Sequence, residues 1–182
     1  LDTRNFHWLP QAYMLKPDKV DPLRRSIGHI LDVIGEGWSI LIIREAFLGA
    51  RRFEEFQGRL GIARNILTSR LKKLCANEIL DRVPVKEGAK RHEYVLTRKG
   101  IDMMPMLVAL TQWGDRWVFG EHNEPVLFLE RATDQPISSV KVFSMQGEVL
   151  RARDLKVVAG PGASPESRER LEELERINSN RP

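Results

Sequence analysis

The chain has 182 residues, 42% of them hydrophobic and 30% charged, with a net charge of +4 and one cysteine. That length supports one well-buried domain with smaller appendages. The single cysteine excludes an intrachain disulfide framework or a multi-cysteine zinc site, so a reducing, cytoplasmic setting is expected.

The first stretch, residues 1–22, has no continuous apolar segment of the secretory kind and is set aside as an N-terminal extension. From Leu23 to Gly35, Ile27, Ile30, Leu31 and Ile34 recur at spacings of three and four, which predicts an amphipathic helix stopped by Gly35. Trp38–Leu48 is apolar nearly all round, as a central core helix should be. Arg52–Leu60 predicts a short third helix with Phe53, Phe56 and Leu60 inward, closed by Gly61. Ala63–Ala76 predicts a fourth, with Leu67, Leu71 and Leu74 on one side.

The period then changes. Residues 79–85 and 91–96 read as two short strands around the polar turn KEGAK (86–90), where Gly88 supplies the permissive position. Thr97 is a good N-cap for a long fifth helix reaching about Phe119, which Pro105 should kink or restart. Four helices, a hairpin and a further helix form the layout of a winged helix domain, with the short GIA turn (61–63) inside its helix-turn-helix.

Beyond Gly120 the pattern weakens. Glu124–Glu130 and Val140–Phe143 look like strands, with a turn at 146–149. Residues 158–165 have linker composition, and Ser164 with Pro165 starts a charged terminal helix. The expected fold is mainly α with a small β-hairpin, a winged helix-turn-helix over 23–120. A small β-rich extension over 121–160 and a linker with terminal helix over 161–182 complete it. The longest apolar runs, WSILII and MMPMLVAL, fall far short of the roughly 20 residues of a membrane span, so no membrane partner is expected.

Charge is unevenly spread. Arg51 to Lys99 holds thirteen Lys and Arg against six Asp and Glu, while the remainder of the chain is net negative. Such a basic middle suits a polyanion, although a solvated surface has the same signature.

The stretch LDVIGEGWSILIIREAFLGARRFEEFQGRLGIARNILTSRLKKL (31–74), continued by YVLTRKG (94–100) and QWGDRW (112–117), resembles the HxlR-type family of winged helix regulators. The resemblance implies a homodimer on double-stranded DNA, acting as repressor or activator, usually in response to a chemical signal. The expected function is a sequence-specific repressor on a near-palindromic operator, with a small-molecule effector as a further partner. A winged helix that binds only protein, or a small-ligand-binding protein, are the alternatives.

On the fourth helix Asn65, Ser69 and Lys72 lie opposite the leucines, with Thr68 and Lys73 on the flanks and Arg64 at the start. These types suit base edges and phosphates in a major groove. Lys86, Lys90 and Arg91 bracket the wing turn and suit the sugar-phosphate backbone. Arg70 sits at the edge of the apolar side and reads as a structural ion pair with Glu45 or Glu55, whereas Glu54 and Glu55 read as a solvated charged pair. Ile27, Ile30, Leu110, Trp113 and Trp117 are assigned to the dimer interface that the resemblance implies, or to a ligand pocket beside it.

Relatives of this type often carry a sensing cysteine just before the first helix, where this chain has Arg25. Some carry a small zinc ribbon in the tail, at positions that fall on Thr133, Phe143 and Gln146 here, none of which supplies a thiolate or imidazole. No metal and no cofactor are therefore expected. Cys75, at the end of the fourth helix, reads as an inert thiol packed under the hairpin. His7, His29, His92 and His122 show no metal or catalytic spacing, and no nucleophile–base set is visible, so an enzyme is not expected.

Overall fold

The computed structural model describes residues 22–179 apart from 87, 88, 90 and 121. The N-terminal extension up to residue 21, the turn glycine Gly88 and the wing candidate Lys90 lie outside the described residues. The described residues fall into two compact units, 30–156 and a second made of 22–29 with 157–179.

Helix α1 (Pro22–Ile34) begins on a proline, which loses nothing at a helix start, and ends before Gly35. Arg25 lies within it rather than ahead of it. Helix α2 (Gly37–Phe47) is the central element, and its Ile42 and Ile43 are wholly buried. Helix α3 (Phe53–Leu60) buries Phe56 and ends at Gly61, whose φ of 62° is the left-handed cap conformation that glycine adopts without strain. Helix α4 (Arg64–Ala76) follows the three-residue link Gly61–Ala63 and buries Leu67, Leu71 and Leu74, as the periodicity requires. These leucines join Phe56, Ile79 and Leu80 in one hydrophobic core.

Strands β1 (Leu80–Pro84) and β2 (His92–Leu96) pair antiparallel, from Leu80 opposite Leu96 to Pro84 opposite His92. The Tyr94 amide donates to the Arg51 carbonyl at 2.7 Å, so the α2–α3 connection covers the outer edge of β2. Covering an edge in this way satisfies backbone groups that invite foreign pairing.

The long fifth helix is not continuous. Thr97 does cap a helix, its Oγ1 accepting from the Gly100 amide at 3.0 Å, but α5 (Arg98–Ile101) is one turn long. The chain restarts as α6 (Met104–Gly114) with Pro105 in its first turn, and Asp115–Phe119 closes it with a π-helical turn. Pro105 has no N–H to donate, and in a continuous helix its ring would collide with the Ile101 carbonyl, so the break falls just ahead of it.

The tail carries less strand than expected. No strand forms over Glu124–Glu130, only a single bridge between Leu129 and Pro136. The second expected strand shrinks to β3 (Val142–Phe143), which pairs with an unexpected β4 (Val149–Leu150). Val126, Leu127, Val142 and Phe143 are all more than half exposed, so no face of the tail is buried enough to sustain longer strands. Hydroxyls close its turns instead. Thr133 Oγ1 donates to Glu130 at 2.7 Å, and Ser144 Oγ accepts from the amides of Gln146 and Glu148, both at 3.2 Å.

In the second unit, α7 (Pro165–Ser179) forms where the charged terminal helix is expected. Its first turn is held by Ser164, whose carbonyl accepts from Ser167 and Arg168, both at 3.1 Å. Leu171 is buried, while Leu174 and Ile177 stay exposed.

Candidate nucleic-acid interface

Burying three leucines on one side of α4 forces its polar residues outward. Arg64, Asn65, Thr68, Ser69 and Lys72 are all exposed, and Lys73 is half-buried on the flank. The structure thus brings the expected reading residues onto one helix face. Arg64 sits 5.0 Å over the Phe53 ring, a cation–π contact linking the start of α4 to the start of α3. Thr68 Oγ1 donates to the Arg64 carbonyl at 2.8 Å, which leaves its lone pairs to accept from a partner.

Arg70 is structural, but not in the way expected. Its guanidinium pairs with Glu36, the residue preceding α2, and not with Glu45 or Glu55. Only 18% of the Arg70 side chain is exposed, so this contact anchors the outward face of α4 against the α1–α2 junction. Glu45 is nearly buried and lies within ion-pair distance of Arg44 at 2.6 Å and Arg59 at 3.7 Å. Glu55 is not merely solvated. Its carboxylate accepts from the Arg51 and Arg52 amides at 2.7 and 3.0 Å, capping α3, and those bonds hold its carboxyl below the ordinary range.

The wing places Lys86 and Arg91 at its exposed base, where the Val85 amide donates to the Arg91 carbonyl at 3.1 Å. Arg82 on β1, missed in the sequence, is also exposed and lies 3.2 Å from the His92 ring. Alternation along the strand gave no signal, since it puts Arg82 on the same face as the buried Leu80, and only the chain's path away from the core exposes it. Arg51 and Arg52 lie near Glu93 at 3.9 and 3.5 Å, which spends part of their charge on holding the hairpin to α3.

On α6, Leu110, Trp113 and Trp117 are 48%, 65% and 69% exposed, a large apolar surface left facing water. On α1, Ile27 is exposed, whereas Ile30 packs partly against the core. Cys75 is half-buried beside the core. Burial pushes its thiol up and Asp81 adds to that, while Arg82 pulls the other way. No single helix among the described residues is long and apolar enough to cross a membrane.

A helix-turn-helix with this packing, this hairpin and this exposed helix face has a family counterpart. Residues 33–122 match the family model described as HxlR-like helix-turn-helix. The chain belongs to the HxlR-like helix-turn-helix family. It is 37% identical over 137 residues to the HTH-type transcriptional regulator Mb3122 of Mycobacterium bovis, covering 75% of this chain and 87% of that one. It is 36% identical over 99 residues to the HTH-type transcriptional regulator sll1512 of Synechocystis, covering 54% of this chain and 73% of the relative. Among solved structures, the transcription-factor candidate PA1607 is similar with a TM-score of 0.69 and 42% identity, covering 74% of this chain and 94% of that one. PA1374 from Pseudomonas aeruginosa is similar with a TM-score of 0.59 and 39% identity, covering 79% of this chain and 98% of that one. The chain is thus a transcriptional regulator with a helix-turn-helix domain, and its family implies DNA binding.

Proposed function

We propose that the chain is a homodimeric repressor that reads a near-palindromic operator in the cytoplasm, with 23–120 as its DNA-binding and dimerisation domain. The observation that carries this reading is the exposed face of α4, where Arg64, Asn65, Thr68, Ser69 and Lys72 stand opposite three buried leucines. Arg forks onto guanine and Asn onto adenine, while Ser, Thr and Lys suit phosphates and base edges. Lys73 flanks this set, and Lys86, Lys90 and Arg91 are the proposed wing contacts to the backbone.

Two-fold symmetry sets the spacing of the operator. Two α4 helices in successive major grooves require half-sites about 34 Å apart or a multiple of it. The exposed Leu110, Trp113 and Trp117 supply the dimer surface on α6, with Ile27 and Ile30 proposed for α1. The protein acts by binding rather than by turnover, and its signal is a small-molecule effector rather than thiol chemistry.

Selection of bound fragments from the source genome, followed by footprinting, tests this. The expected result is a dyad-symmetric site whose occupation lowers transcription of the adjacent gene. A chain that binds no genomic fragment, while remaining folded, is a protein-interaction module instead. Sedimentation of wild type and Trp117→Asp tests the dimer, since an unpaired charge in a desolvated contact is poorly tolerated.

A further inference from the structure

A cleft of about 350 Å³ opens between α6 and the tail, entirely within the unit formed by residues 30–156. Its walls include Leu127, Phe128 and Ile137, of which Leu127 is 62% and Ile137 39% exposed. Concave apolar surface with a few convergent polar groups is the usual make-up of a small-molecule site. Gln112 ties the tail to α6. Its Nε2 donates to the Ser138 carbonyl at 3.2 Å, and its Oε1 accepts from the Val140 amide at 2.8 Å. Beside this tether lies a smaller cavity of about 180 Å³, lined by Trp113 and Trp117 and sharing Gln112 and Arg116 with the first.

The charges around the cleft decide what it accepts. Asp115 and Glu124 both line it, and among the described residues neither has an ion-pair partner. Glu124 accepts from the His122 amide, at 3.2 Å. Asp115 is half-buried, whereas Arg116, the one lining guanidinium, is exposed. Glu124 is exposed as Arg116 is, so those two are screened alike, and the half-buried Asp115, the less screened charge, tips the field inside toward negative. Phe128 lines the cleft and Trp113 and Trp117 the cavity beside it, so aromatic rings are at hand to pack against a cation.

We propose that this cleft is the effector site, and that it takes a monocation with a bulky apolar body. The assignment rests on the reading of the chain as an effector-responsive DNA-binding protein. The ligand sits against α6, the helix bearing the proposed dimer surface, so occupation acts on the separation of the two α4 helices.

Calorimetry on the full chain with two ions of equal shape and opposite charge tests this, tetraphenylphosphonium against tetraphenylborate. Saturable binding of the cation, one per protomer, with the anion weaker or absent, is the expected result. D115N/E124Q, both at the surface of the cleft and checked by an unchanged melting temperature, should weaken cation binding about tenfold or more. Arg116→Ala should tighten it. No cation binding, equal binding of both ions, or an unchanged affinity in D115N/E124Q overturns the site. Cation binding that leaves the operator affinity unchanged overturns its role as an effector site. If no genomic fragment is bound at all, it is the DNA-binding reading that fails, and the calorimetry still decides the cleft.

Discussion

The Arg64 guanidinium rests 5.0 Å from the ring centroid of Phe53, so the first residue of α4 is oriented before any DNA arrives. Restricting a long side chain in the free protein lowers the entropy lost on binding. Arg64→Ala or Asn65→Ala should reduce affinity for the operator by about 1–3 kcal/mol each, with little effect on random DNA. Phe53→Leu should reproduce part of the Arg64 loss. Competition binding on operator and random fragments measures this, and equal losses on both would remove Arg64 and Asn65 as base readers.

The wing should behave differently. Lys86→Ala and Arg91→Ala are expected to weaken binding on all sequences alike. Each lost phosphate contact should lower the slope of log affinity against log salt by about 0.9. A slope that stays the same in both variants would show that the wing does not touch the backbone.

Arg70 and Glu36 form a pair whose arginine is largely buried and whose glutamate is half exposed, so solvent screens part of its worth. Glu36→Ala should cost about 1 kcal/mol, between the values for exposed and buried pairs. Urea unfolding of Glu36→Ala, Arg70→Met and the double variant gives the coupling directly. Additive losses would mean that the two side chains do not support one another in solution.

Glu55 gives a pH signature. Its carboxyl is held below the ordinary range by the Arg51 and Arg52 amides, so the folded state binds its proton less readily than the unfolded state. The stabilisation is therefore complete above the ordinary carboxylate value and fades as pH falls through the depressed one. The stability advantage of wild type over Glu55→Gln should shrink between about pH 6 and pH 3. Melting temperatures across that range check it, and an advantage that grows on acidification would reverse the assignment.

Cys75 should not act as a switch. With its thiol pushed up by burial and by Asp81, little thiolate is available to react. Diamide and a quinone are expected to leave operator affinity unchanged in wild type and in Cys75→Ser. An oxidant-dependent loss in wild type that disappears in Cys75→Ser would establish a thiol switch.

Much of this architecture was legible in the sequence, because the helices and the hairpin are written in two strong periods. Leu67, Leu71 and Leu74 fixed the rotation of α4, and with it the outward face, from spacing alone. The break before Pro105 was signalled, but the single-turn α5 was not, since Thr97 to Ile101 begins as any helix would. Arg70 was legible as an ion pair, yet its partner was not, because Glu36 lies 34 positions away and only packing brings it near. The tail was the least legible part. Its apolar residues alternate like strands but bury no face, so its shape depends on hydroxyl-closed turns and on Gln112 reaching 26 and 28 residues ahead.

The far end of α4 is joined to the base of α5 by two short links, and a third closes the last turn of α4 itself. Thr97 Oγ1 donates to the Glu78 carbonyl at 2.5 Å, Lys99 Nζ donates to the Asn77 carbonyl at 2.8 Å, and Asn77 Nδ2 donates to the Lys73 carbonyl at 2.8 Å. Gly100 packs so closely that an added Cβ would meet the Ile79 carbonyl oxygen at 2.2 Å. With Gly100 against the Ile79 backbone and two hydrogen bonds crossing the joint, any shift of α5 relative to the end of α4 would have to break these contacts. Arg64 lies thirteen residues back along α4 from Asn77, so the face proposed to read DNA and this corner are opposite ends of one helix.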